Sequence, residues 1–125
     1  MAPLRAVLTL SCLTLATPAC ASHRPAPASI PTEWLLTVEN HHWLDIEVHL
    51  VHGGQRTRVG VVTAATSQNF VLPTYLLGPG GDIELVASLI GGGQRVSTGL
   101  ITLSGGQSVQ WTLERVLSQS SFAVH

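Results

Sequence analysis

Four of the six histidines fall between positions 41 and 52: His41, His42, His49 and His52, with Asp45 and Glu47 among them. If this stretch is a strand, Asp45, Glu47 and His49 project from one face at successive i, i+2 positions, about 7 Å apart from Cα to Cα. His41 joins them from the preceding turn. Imidazole and carboxylate ligands at that spacing suit Zn²⁺ or Cu²⁺. The opposing reading is a polar outer face, with histidine used where lysine is absent and with His41 and His42 pairing with backbone carbonyls in a turn. A metal centre needs ligands that converge in space, usually with one from a second element, and spacing alone does not supply that. His41, Asp45, Glu47 and His49 therefore stand as candidate ligands for Zn or Cu, against the first expectation of no cofactor.

Other chemistry finds less support. The acid pairs Asp45/Glu47 and Asp82/Glu84 each lie on one strand pattern, a flat surface rather than the cleft that separates glycosidase carboxylates by roughly 5–9.5 Å. Serine, histidine and aspartate occur, but without a Gly-x-Ser-x-Gly elbow. His-Glu-x-x-His, Gly-x-Gly-x-x-Gly and Cys-x-x-Cys are also missing. All six basic residues are arginine, which excludes a Walker A lysine, a Schiff-base lysine and a Ser-Lys dyad. Past Arg5, five arginines face seven acids, so there is no basic footprint for nucleic acid. Both cysteines, Cys12 and Cys20, lie within the first 20 residues. The remainder has no disulfide, no thiolate nucleophile and no Cys-ligated zinc. The expectation is a protein that is not an enzyme; a small hydrolase has only scattered Ser, His and Asp to recommend it.

The front of the chain carries an address. Met1 to Arg5 is a short segment with one positive charge, and Ala6 to Ala16 is an apolar run of 11 residues. That run suits a signal peptide and is too short for a membrane span of about 20 residues. Small residues follow at Thr17-Pro18-Ala19-Cys20-Ala21. The segment resembles the lipobox of bacterial lipoproteins, in which a small residue precedes the lipidated cysteine; the resemblance implies lipid on Cys20 as the first mature residue. Two other readings stay open: an ordinary small-x-small site with cleavage before Ser22, and a buried N-terminal helix of a cytosolic protein. Residues 21–32 hold Pro25, Pro27 and Pro31 and favour extended polyproline conformations, with nothing suited to packing. They read as a tether, so the chain divides into a leader over 1–20, a tether over 21–32 and a folded domain over 33–125. The expected location is periplasmic or outer-membrane-anchored, otherwise secreted, with membrane contact only through the N-terminal lipid.

From Glu33 onward, short apolar runs at period two are broken by glycine clusters, which is the strand signature. Strands are expected at Trp34–Glu39, Trp43–Val51, Arg56–Ala64, Gln68–Leu72, Ile83–Ile90, Val96–Leu103 and Ser108–Val116, with a short one at Ser121–Val124. A helical turn is expected only at Tyr75–Gly78. Leu44, Ile46, Val48 and Leu50 share one face, and Val109, Trp111 and Leu113 alternate with Gln110, Thr112 and Glu114. One wet and one dry face per strand is what two packed antiparallel sheets require. Gly-Gly-Gln recurs at Gly53–Gln55, Gly92–Gln94 and Gly105–Gln107, each between strand patterns where glycine supplies the positive φ of a hairpin turn. The class is all-β: an antiparallel β-sandwich of about seven strands, immunoglobulin-like or transthyretin-like. The run from Val38 to Leu117 also resembles a loose set of short, uncharacterised bacterial envelope proteins. The features are Val38-Glu39-Asn40, Trp43-Leu44-Asp45, the Gly-Gly-Gln-Arg turn, Leu72-Pro73 and Val109–Glu114. That resemblance implies a sandwich and an envelope address, and no activity.

The tryptophans divide by parity. Trp34 and Trp111 alternate in step with apolar neighbours and read as core. Trp43 shares parity with Asp45, Glu47 and His49 on the wet face, where an exposed Trp is a contact anchor or a cap over the end of the sheet. The expectation is thus a non-enzymatic interaction or structural module of the cell envelope, contacting an unidentified envelope protein or surface component through a sheet edge or the Trp43 face. A periplasmic Zn/Cu-binding protein is the alternative.

Overall fold

The structure, a computed structural model, describes residues 29–125. The expected leader, Cys20 and the expected tether as far as residue 28 lie outside the described residues. Eight strands follow in order: β1 Glu33–Asn40, β2 Ile46–His52, β3 Gln55–Val62, β4 Ser67–Pro73, β5 Asp82–Leu89, β6 Arg95–Thr102, β7 Ser108–Leu113 and β8 Ser121–Val124. Two single turns of 3₁₀-helix, Thr74–Leu77 and Leu117–Gln119, are the only helical pieces among the described residues. No helix among the described residues is long and apolar enough to cross a membrane.

The strands form two four-stranded sheets, in the orders β4-β1-β7-β8 and β3-β2-β5-β6. Period-two alternation builds both. Trp34, Leu36 and Val38 of β1 face Ile46, Val48 and Leu50 of β2 across a core completed by Ile83, Leu85, Ala87, Val109, Trp111 and Leu113. Trp34 and Trp111 are its largest fully buried side chains. The immunoglobulin arrangement places its first, second, fourth and fifth strands in one sheet. Here the first and fourth are parted from the second and fifth, which leaves the transthyretin-like alternative.

One pairing departs from the antiparallel expectation: β1 and β7 run parallel, from Leu35 opposite Ser108 to Asn40 opposite Leu113. Both strands therefore end at the same edge of the molecule, side by side. Gly53 and Gly54, both at positive φ, close the β2–β3 hairpin, and the second Gly-Gly-Gln lies in the β5–β6 hairpin. The third does not close a hairpin. It carries the chain from β6 in one sheet to β7 in the other.

Three further expectations are corrected. The second strand begins at Ile46 rather than Trp43, and the seventh stops at Leu113 rather than Val116. The last residues of the expected tether do pack: the Thr32 carbonyl accepts hydrogen bonds from the Thr74 amide (2.8 Å) and hydroxyl (3.1 Å), and Pro31 lies against Gly105 and Gly106.

Candidate functional site at the β1 and β7 ends

Residues 41–45, between β1 and β2, form a bend in which side chains take the His42 amide and the Leu44 amide and carbonyl out of any strand ladder. Asn40, which is buried, directs its Nδ2 at the carbonyls of Leu44 (3.0 Å), Val62 (3.2 Å) and Thr63 (3.3 Å). Its Oδ1 accepts from the His42 amide at 2.8 Å. His42 is buried too, and its Nδ1 accepts from the Leu44 amide at 3.0 Å. That bond uses Nδ1 as the acceptor and leaves Nε2 as the ring's donor nitrogen. His42 thus takes a backbone N–H, not the carbonyl expected of it. Asp45 holds the next turn, its Oδ1 accepting from the Ala64 amide at 2.9 Å.

On this pedestal stands Trp43, 68% exposed. Its ring lies 4.8 Å from the His42 ring, tilted by 45°. The exposure agrees with the sequence reading. The placement does not, because Trp43 is in the bend and belongs to no strand face.

Beside the bend is an open hollow of about 440 Å³, lined by Asn40, His41, Ala65, Glu114, Arg115, Val116 and Gln119. The parallel β1/β7 pair creates it, since the segments leaving both strands emerge together: the His41 amide donates to the Leu113 carbonyl at 2.8 Å. The β3–β4 turn closes the other side, with the Asn40 amide on the Thr66 carbonyl (2.9 Å) and the Ala65 amide on that of His42 (3.0 Å). Ala65 has φ 53°, the one non-glycine residue with positive φ among those described. Such a conformation costs an L-residue roughly 1–2 kcal/mol, here held by the Ala65–His42 bond.

His41 lies between two carboxylates. Its Nε2 is 2.7 Å from Glu39 Oε1 and its Nδ1 is 3.2 Å from Glu114 Oε2. These bonds, that to Glu39 first, raise its pKa above the ordinary 6.5. The remaining expected ligands sit elsewhere. On the outer face of the β3-β2-β5-β6 sheet, His49 Nε2 is 2.9 Å from Glu47 Oε1. Arg56 donates to His49 Nδ1 at 3.4 Å, and Arg58 Nε lies 3.7 Å from Glu47. Burial, then the nearby Arg56, push the His49 pKa below 6.5, against the pull of Glu47.

The structure therefore brings Glu47 and His49 together and gives His41 and Asp45 other partners. Among the described residues, no group of three or more His, Cys, Asp or Glu is placed to hold a metal ion. Glu84 accepts the Ser97 hydroxyl at 2.6 Å and Asp82 that of Thr102 at 2.5 Å, each from the neighbouring strand β6.

Sequence reasoning missed Asn40, Glu39 and Glu114. Glu39 carried a signal, since it shares parity with His41 at i+2. Glu114 carried none, because only the long-range β1/β7 pairing brings it to His41.

No family model matches the chain, and no curated protein matches it. Among solved structures it is similar to an NMR structure of a protein from Eubacterium rectale, at 12% identity and a TM-score of 0.44, over 75% of this chain and 87% of that one. Nothing about function follows from a likeness at that level.

Proposed function

We propose that this protein is a non-enzymatic contact module of the bacterial cell envelope, with Trp43 as its anchor. The observation that carries this reading is Trp43 itself: a large aromatic left in water on a bend whose own backbone is pinned by buried Asn40 and His42. Exposed, rigidly mounted tryptophans supply contact area at low entropic cost, and truncating such anchors typically costs an interface 2 kcal/mol or more. The hollow next to the bend adds polar groups able to orient a partner. In this reading the leader exports the chain, lipid on Cys20 anchors it and the residues after Cys20 tether it. β1 enters the domain at Glu33 and runs away from that tether, so the Trp43 bend is carried at the far end of the sandwich, where an envelope partner is met.

The test is cosedimentation of the purified protein with isolated envelope, beside a Trp43→Ala variant. Binding that weakens at least tenfold in the variant supports the reading. Binding that is absent, or equal in both, overturns it. The address is tested separately by the mass of the mature N-terminus. A lipid-shifted mass on Cys20 supports the anchor, and an unmodified chain starting at Ser22 replaces it with secretion.

A further inference from the structure

We propose that His41 is a proton-operated clasp between the ends of β1 and β7. While protonated it holds the β7–β8 connection, residues 114–120, against β1; on losing the proton it releases Glu114 and reshapes the hollow.

The geometry supports the charged ring. Both nitrogens lie within hydrogen-bond distance of carboxylate oxygens, 2.7 Å to Glu39 and 3.2 Å to Glu114. An ionised carboxylate only accepts, and a neutral imidazole carries a single N–H. Neutral His41 would therefore set a bare lone pair against one of the two carboxylates. The imidazolium satisfies both at once, each by a charge-assisted bond. The raised pKa of His41 follows from the same two contacts.

When the proton leaves, Glu114 is the partner that departs. Its contact is the longer one, and it sits past the end of β7, where no ladder holds it. Glu39 is fixed within β1, paired with Ser67 on one side and Thr112 on the other. The charged groups facing the clasp are Glu39 from β1, and Glu114 and Arg115 from the connection. The β3–β4 turn contributes only uncharged Ala65, and Gln119 is neutral. His42, the adjacent titratable group, is committed through Nδ1 to the Leu44 amide. With His41 charged, two cations balance two carboxylates. Without that charge the hollow carries one net negative charge, and Arg115 is the cation left to draw Glu114 away. If the hollow serves the contact module proposed above, the clasp makes partner binding depend on pH; this consequence rests on that reading, while the clasp itself does not.

The experiment is an NMR pH titration of the purified protein, following the His41 ring and the backbone amides of residues 115–119, in the wild type and in Glu114→Gln and Glu39→Gln. His41 is expected to titrate above 6.5, and the amides of 115–119 to shift with the same midpoint. Either substitution moves that midpoint back toward 6.5, and His41→Asn abolishes the coupled amide shift. A His41 midpoint at or below 6.5 overturns the clasp, as do amides that fail to follow it. None of these readouts involves a partner, so a failed clasp leaves the Trp43 reading standing, and a failed Trp43 test leaves the clasp intact.

Discussion

Asn40 does more for the candidate site than any residue exposed in it. One side chain answers three carbonyls and one amide from two separate stretches of backbone, the 41–45 bend and the end of β3. Asn40→Ala takes the side-chain partner from the His42 amide and from the Leu44 and Val62 carbonyls, while the Thr63 carbonyl keeps the Thr66 amide and hydroxyl. The cost is about 1–3 kcal/mol for each group left unpaired that water cannot reach. With some relaxation the expected loss is about 3 kcal/mol, read as a lower urea midpoint at unchanged slope. A variant as stable as wild type would mean that water or other groups replace the side chain. Trp43→Ala is the converse. A largely exposed side chain with one ring contact is expected to change stability by less than about 0.5 kcal/mol, so any loss of binding in that variant reads as lost contact rather than lost fold. A large stability loss would instead make Trp43 a cap over the end of the sheet, the other role its sequence position allowed.

The strands were legible because alternation is a local signal, and each expected strand has its counterpart among β1 to β8. The errors sit at their ends. Trp43 to Asp45 look like strand because Leu44 keeps the dry-face parity, yet the side chains of Asn40 and His42 take over the backbone bonds there. The β1/β7 pairing left no mark in the sequence, since nothing in either segment distinguishes a parallel neighbour from an antiparallel one. The four candidate metal ligands are not brought together for a related reason: the sequence reading sets Asp45 on the strand face with Glu47 and His49 and brings His41 in from the preceding turn, whereas β2 begins only at Ile46 and Asp45 lies in the bend. Gly81 shows the same limit. It looks like one more loop glycine, but it has φ +69°, and a Cβ there would run into the Leu103 carbonyl. Its own carbonyl accepts from the Leu103 amide at 2.9 Å, tying the entry to β5 to the exit from β6. Gly81→Ala is expected to cost at least about 2 kcal/mol, lowering the melting temperature by roughly 10 °C for a domain of this size. Gly93→Ala, at a turn position with open space around it, is the control and should melt at or slightly above the wild-type temperature. Equal melting points for the two variants would show that the Leu103 contact yields freely.

At the scale of the whole molecule, the sandwich sets two histidines in opposite electrostatic settings on its two sheets. His41, between carboxylates at the end of β1, has its pKa raised; His49, partly buried and beside Arg56 on β2, has its pKa lowered. Their effects on stability have opposite signs. The folded chain holds the His41 proton more tightly than the unfolded one, so that contribution is fully present below the ordinary value of 6.5 and is lost as pH rises through the raised folded pKa. For His49 the unfolded chain takes up its proton near 6.5 while the folded chain resists until its own lower pKa, so stability falls as pH drops through that interval. Together the two groups place the maximum of stability near 6.5, with a decline on each side. Urea midpoints measured from about pH 5 to 8, where these groups titrate and the carboxylates remain largely ionised, should trace that shape. His49→Gln should flatten the acid side and leave the alkaline side in place, and His41→Gln should do the reverse. An acid-side slope that survives His49→Gln would mean that the Arg56–His49–Glu47 chain accepts the proton without cost, with Glu47 then compensating the arginine beside the ring.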